Sequence, residues 1–486
     1  MELKALLLAL ASSASLVKGE TVLGVYIFSR HGDRTPKALA PANLTSLGAD
    51  EVFDSGSYFR HRYVASDSSS PIFGLSRDIA VASQMTVTSP VDTVLQNSAQ
   101  AFMQGLYPPV GTLSTQELAN DTSVEAPLDG YQYIPINAVT TASSNTNSEN
   151  NEWLQGGSGC GNAIVSSNNY FISSEYLATY DETTSFYSDL LPVINSTFDA
   201  DEANFKNAYT IFDYINVATI HNQTIPSSDL LTNETLLQLK VLANIHEWNL
   251  AYNASEKIRA VAGSTLAAQV VQQLNSTLTG KSKQPLGIQF GAYGSFMSFF
   301  GLAQLPAVSA DFTGVVDYAS TMTFELVTNA TNVSTSNYPS ASDVSVRFLF
   351  ANGTAAENEP QAYPLFGRTD TLTPWSTFAE EMAKISIGDT AAWCTACGNS
   401  TGVCASAATT GSDSGSGSAA SASGNGISLP VAGVIGALVT LVVVLGVEAL
   451  VYFLAGLKLV KKATLSHAAA AAAASPTNGG AAGVKA

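Results

Sequence analysis

The chain has 486 residues, with 21 lysines and arginines against 39 aspartates and glutamates, a formal charge of -18. Hydrophobic residues make up 46% and charged residues only 12%, so a sizeable core is available and wholesale disorder is excluded. The acidic balance provides no basic surface to neutralise a phosphate polymer, which excludes nucleic acid as a partner.

At the amino end, Lys4 precedes the apolar run 5–10, and small residues follow up to Lys18 and Gly19. This reads as a secretory signal peptide over residues 1–19. Residues 22–28 are β-branched and aromatic and predict a buried strand running into a loop at Ser29-Arg30-His31-Gly32. A helical stretch is expected from about 49 to 63, a second strand over 80–87, and a helix over 91–105 stopped by Gly105 and Pro108. The middle, 115–281, is mainly helical in pattern, with apolar spacings of three and four over 201–218 and 230–274. A strand over 286–290 and a helix over 295–302 repeat the strand-then-helix theme. Strands over 322–327 and 344–350 and a last helix over 375–385 complete the series. The order predicts an α/β fold, a central sheet flanked by helices, made of residues 20–114 and 282–404 with a helical insertion over 115–281.

Residues 405–428, almost all Ser, Ala, Gly and Thr, read as a stalk. Residues 429–457 are apolar apart from Glu448 and long enough to span a bilayer, and Lys458, Lys461 and Lys462 follow at once. The expectation is a single-pass protein of the secretory pathway or cell surface, joined to the membrane through one helix. Its amino-terminal domain lies outside and its tail, 458–486, in the cytoplasm. Asn-x-Ser/Thr triplets begin at Asn43, Asn120, Asn195, Asn222, Asn233, Asn253, Asn275, Asn329, Asn332, Asn352 and Asn399, all between the two apolar ends. The four cysteines, Cys160, Cys394, Cys397 and Cys404, have no histidine near the last three and are read as disulfides rather than zinc ligands. Three pairings are open. No metal and no cofactor is expected.

The sharpest local feature is Arg30-His31-Gly32-Asp33-Arg34-Thr35-Pro36 at the carboxyl end of the first strand, the edge at which open α/β sheets bind ligands. Two guanidiniums flank one imidazole. Arginines bind a tetrahedral oxyanion bidentately, and an imidazole between them can attack its phosphorus. A small phosphorylated or anionic ligand is the expected partner. Arg60 and Arg62 are further cations that could border this site. His61, His221 and the pair His246-Glu247 are read as structural.

The motif resembles the signature of the histidine acid phosphatases, the phytase-like clade of the histidine phosphatase superfamily. Asn43-Leu44-Thr45-Ser46-Leu47-Gly48, Ser98-Ala99-Gln100-Ala101-Phe102, and Asp317-Tyr318-Ala319-Ser320 leading to Phe324-Glu325-Leu326 are similar to later family segments. The resemblance implies a phosphoglycerate-mutase-like fold with a helical cap. It also implies phosphomonoester hydrolysis through a phosphohistidine at His31, with Arg30 and Arg34 as phosphate ligands. Two family elements have no counterpart. Asp92-Thr93-Val94 stands where a third arginine is expected. Ala292 and Tyr293 stand where the resemblance expects a His-Asp pair that binds phosphate and protonates the leaving oxygen. Asp33 is the nearest carboxylate, at a place where the family often has one without using it as the acid. Losing a positioned cation costs about 10²–10³ in rate, and losing a general acid a further ~10²–10⁴. The expectation is therefore a phosphatase of weak activity, with an inactive pseudophosphatase that binds an anionic ligand as the alternative.

Overall fold

The computed structural model describes residues 19–139, 159–221 and 224–405. The expected stalk from 406 onward, the span 429–457, the tail, Asn222, and the leader up to residue 18 lie outside the described residues. Among the described residues, no helix is long and apolar enough to cross a membrane.

The first strand, β1 (Thr21–Arg30), is buried from Val22 onward, as expected of an apolar run covered on both faces. It leads through the motif loop to helix α1 (Ser46–Phe59), then to β2 (Met85–Pro90) and α2 (Thr93–Leu106). A small hairpin, β3 (Gln116–Glu117) and β4 (Ser123–Val124), is followed by α3 (Pro127–Gly130) and β5 (Asn137–Val139). Helices α4 (Gly161–Tyr170), α5 (Ser174–Asp189), α6 (Leu191–Ile194), α7 (Ala208–Ile220), α8 (Asn233–Ala251) and α9 (Val261–Thr279) fill the middle of the chain. The sheet resumes with β6 (Leu286–Gly291), passes through α10 (Tyr293–Leu302), and continues with β7 (Thr321–Thr328) and β8 (Val344–Ala351). The last elements are β9 (Gln361–Tyr363), β10 (Leu372–Pro374), α11 (Trp375–Ala383) and α12 (Thr390–Cys397).

Hydrogen bonding orders the main sheet β10-β8-β7-β1-β6-β2-β5, with β9 added on β8. Strands β1, β6, β2 and β5 run parallel, while β7 is antiparallel to β1 and β8 to β7. An irregularity between Val22 and Gly24 shifts the register against β7 and changes which face later residues present. Val22, Val25 and Ile27 thus join the apolar cluster under α1 and α2, while Leu23, Tyr26 and Phe28 join the one under α9 and α10. The helices α4–α8 have a core of their own around Tyr187, Phe205, Ile211, Ile215 and Leu239. Disulfides Cys160–Cys397 and Cys394–Cys404 join α4 to α12 and α12 to the segment after it.

Several expected elements are displaced. The second strand begins at Met85 rather than 80, because Ala82–Gln84 forms a 3-10 turn on which Val81 is exposed. Helix α2 begins at Thr93, where the Asp92 carboxylate accepts the Leu95 backbone N–H at 2.9 Å. Helix α10 starts two residues earlier than expected and α11 ends at Ala383. The pattern gave no sign of α12, whose cysteines were read only as a disulfide framework, nor of β5, which extends the main sheet from within the expected insertion. Helix α9, also within that range, packs on β1.

Candidate functional site

The parallel pairing of β1 with β6 sets the site. Arg30 lies opposite Gly291, so the chain leaves both strands at one edge, with His31 on one side and Ala292-Tyr293 on the other. The loop after β1 turns tightly against the start of α1. A Cβ on Gly32 would stand 1.9 Å from the Gly48 carbonyl oxygen, and one on Gly48 would stand 2.0 Å from the Asp33 carbonyl oxygen. Only glycine fits at either place, and this contact fixes how His31 leaves the strand.

The His31 ring is 1% exposed. Its Nδ1 lies 2.8 Å from the Gly32 carbonyl oxygen. A carbonyl only accepts, so Nδ1 carries the proton and Nε2 the lone pair. Burial, then the charges of Arg30 and Arg34, holds the imidazole well below its usual pKa range, so it is neutral. Arg30 donates from Nη1 to the Val316 carbonyl. Its guanidinium carbon sits 4.5 Å from the Tyr318 ring centre and 5.4 Å from that of Tyr293. Its Nε is buried without a hydrogen-bond partner among the described residues.

Arg34 is wholly buried, with both Nη groups engaged and Nε without a hydrogen-bond partner among the described residues. Its Nη2 and Nη1 donate to the two carboxylate oxygens of Asp213 at 2.9 and 3.0 Å, a bidentate ion pair 179 residues apart in sequence. The same carboxylate accepts the Lys37 backbone N–H at 2.8 Å. Asp213 lies mid-way along α7, between Ile211 and Ile215, and is itself 3% exposed. Nothing about the motif pointed to it. A lone carboxylate within an otherwise uncharged helix was the available signal, because such a group, if buried, needs a cation.

Tyr293 is engaged by the helical layer. Its hydroxyl donates to Glu247 Oε2 at 2.7 Å, and Glu247 Oε1 lies 2.8 Å from His246 Nδ1. Its ring packs on Tyr209 with centres 4.8 Å apart, and burial, then the Glu247 charge, pushes its ionisation well above the usual range. The pair His246-Glu247 therefore braces the site wall through Tyr293. Ala292 helps to line a separate cavity of about 410 Å³ together with Tyr293, Glu247 and Lys37.

Asp33 is fully buried. Its Oδ2 accepts the Thr45 hydroxyl at 2.5 Å and lies 2.6 Å from His221 Nε2, which latches the end of α7 to the loop. Arg60 and Arg62 do not border the site. Arg60 donates to the carbonyls of Arg77 and Leu106. Arg62 pairs at 2.8 Å with Glu325, which is buried in β7 and also bound by Arg347 and the Tyr63 hydroxyl. A cavity of about 290 Å³ reaches Arg30 from the side of α1 and α7, and Glu51, Asp213, Asp317, Glu357 and Lys240 line it. Carboxylates outnumber cations there.

Residues 39–351 match the histidine phosphatase superfamily (branch 2), and the chain belongs to that family. Among curated proteins none matches the sequence. Solved structures with a similar fold include the Hafnia alvei phytase in complex with tartrate, at 14% identity and TM-score 0.50, covering 78% of this chain and 98% of that one. The Citrobacter braakii phytase is 13% identical with TM-score 0.50, over 78% and 99% of the two chains. The Klebsiella sp. ASR1 phytase is 12% identical with TM-score 0.50, over 77% and 97%. At these identities the likeness concerns the fold.

Proposed function

We propose that the chain is a self-occluded histidine phosphatase, which hydrolyses phosphomonoesters slowly through a phosphohistidine at His31. The tautomer carries this reading: with Nδ1–H given to the Gly32 carbonyl, Nε2 keeps its lone pair, on a ring that feels the charges of both Arg30 and Arg34. In the reaction, Nε2 forms a bond to phosphorus as the ester P–O bond breaks, and the alcohol leaves with a proton. Water then displaces His31 and releases inorganic phosphate. The low rate has two sources. Ala292 and Tyr293 supply neither a second imidazole nor a carboxyl group. The Asp213 carboxylate occupies the face of Arg34 that a phosphate would take, so substrate enters only when Asp213 and the tyrosine wall give way.

A second reading, anion binding without turnover, is favoured by Ala292 and Tyr293, which supply no proton donor; it too requires Asp213 to leave Arg34 before an anion can take its place. The acidic lining beside Arg30 argues against a highly phosphorylated substrate under either reading. Single-turnover phosphate release from an aryl phosphate near pH 5, compared between the parent and His31→Ala, separates the two. Slow release that vanishes in the variant supports hydrolysis. Equal release from both proteins sinks it.

A secretory, surface-anchored placement with residues 20–404 outside is part of the proposal. It is supported by the two disulfides and by the exposure of Asn43, Asn120, Asn195, Asn233, Asn275, Asn329, Asn332 and Asn352.

A further inference from the structure

Hydrolysis at His31 needs a proton for the leaving oxygen, and the carboxylates around the site can be taken one at a time. Asp33 has Oδ2 held by Thr45 and His221; its Oδ1 has no hydrogen-bond partner among the described residues, but the residue is fully buried and does not line the cavity that reaches Arg30. Asp213 has both oxygens on Arg34. Glu247 has both oxygens engaged, by Tyr293 and His246. Asp317 is 53% exposed and lies 3.4 Å from Lys240 Nζ, at the rim of the cavity. Glu357, exposed, shares that rim.

Glu51 differs from all of these. It lies on α1 one turn beyond Gly48, the residue whose backbone touches Gly32, and it lines the cavity that reaches Arg30. One carboxyl oxygen, Oε2, accepts the Asp33 backbone N–H at 2.7 Å, two residues from His31. Its other oxygen makes no hydrogen bond among the described residues. The carboxyl is thus anchored at one end and open at the other, beside the motif.

We propose that Glu51 is the proton donor for the phosphomonoester attacked by His31, in place of the carboxyl group missing at position 293. This rests on the hydrolytic reading above. As the Nε2–P bond forms and the P–O bond breaks, the Glu51 O–H proton passes to the ester oxygen and a neutral alcohol leaves. The resulting carboxylate takes a proton from the water that attacks the phosphohistidine, which restores both residues and frees phosphate. Burial pushes the Glu51 carboxyl up to about 7; the charges of Asp33 and Glu357 add to this, while the Asp33 N–H bond and Arg30 oppose it. Asp213 on α7 and the Asp317–Lys240 pair complete the charged groups around the cavity. At acidic pH the group therefore holds the proton it would give.

The test compares 4-nitrophenyl phosphate, whose leaving group needs no proton, with ethyl phosphate, whose leaving group does. The parent, Glu51→Gln, Glu51→Asp and His31→Ala would be assayed from about pH 4 to 8 using the full chain. Glu51→Gln keeps an oxygen for the Asp33 N–H. It should lose roughly 10²–10⁴ in rate on the alkyl ester and less than about tenfold on the aryl ester. The activity limb near pH 7 should also disappear, and Glu51→Asp should recover part of the alkyl rate. Equal losses on both esters, or none, with His31 still required, overturn the role of Glu51 alone. Hydrolysis that survives His31→Ala, or no hydrolysis at all, overturns the underlying reading and this role with it.

Discussion

Asp213→Asn is the perturbation that bears most directly on the occluded site. The substitution leaves one oxygen for the Lys37 N–H but removes the charge that neutralises Arg34. Taking away one partner of a buried ion pair costs roughly 3–5 kcal/mol, because the remaining charge is stranded without solvent. A free inorganic phosphate of suitable size can replace the lost carboxylate. At one hundred times its Kd it would restore about 2.7 kcal/mol. Thermal unfolding of parent and variant would therefore be followed against phosphate concentration, with chloride added to hold ionic strength constant. The variant should melt well below the parent without phosphate and recover much of the difference with it, while the parent changes little. His31-dependent hydrolysis should rise in the variant as well. If Asp213→Asn is as stable as the parent, or if phosphate stabilises both proteins equally, then Asp213 does not compete with an anion for Arg34 and the occlusion argument fails.

Other consequences can be measured independently. His31 stays neutral in the folded chain but takes a proton near 6.5 when unfolded, so it lowers stability as pH falls below that value. His31→Asn should lose up to roughly 2 kcal/mol less than the parent between about pH 6.5 and 5, read from urea midpoints; parallel pH curves would contradict this. Gly32→Ala drives a methyl group into the Gly48 carbonyl and should cost at least about 1–3 kcal/mol, with His31-dependent activity lost. A variant of normal stability would mean that the loop is not held by this contact. Cys160–Cys397 closes 237 residues of sequence and Cys394–Cys404 only 10. Loop-closure entropy makes the first worth roughly 5 kcal/mol and the second roughly 3, so serine pairs at the first should lower the unfolding midpoint further. The reverse order would count against that entropic account.

The sheet was legible where its residues are apolar on both faces. Strands β1, β6, β7 and β8 lie within a residue or two of their expected limits because runs such as Val25-Tyr26-Ile27-Phe28 can only be covered on both sides. The motif was legible too, since Arg30, His31 and Arg34 lie within five positions of each other. Strand β2 was misplaced because Val81 looks like a strand residue yet is exposed at the start of a turn. The partners of the motif were not legible. Asp213 and Glu51 reach it from α7 and α1, and Glu247 reaches Tyr293 from α8, through contacts that no local period encodes. Asp213 is spaced along its helix like any buried side chain, and only its charge is out of place there.

The pairing of the cysteines decides how the domain responds to force. Cys404 lies at the very end of the described chain and is bonded to Cys394, while Cys397, three residues further along α12, is bonded to Cys160 at the start of α4. A pull on the chain beyond Ala405 therefore enters at Cys394 and divides, one branch crossing Cys397–Cys160 into α4 and the other following the backbone into α11. Residues 394–404 cannot be drawn out as a thread, and traction meets sulfur–sulfur bonds before it meets β10 or β8. A steady tug at that end is thus shared between the helical layer and α11 instead of falling on β10 alone, the strand furthest in the sheet order from the one that carries His31 among those on its side of β1.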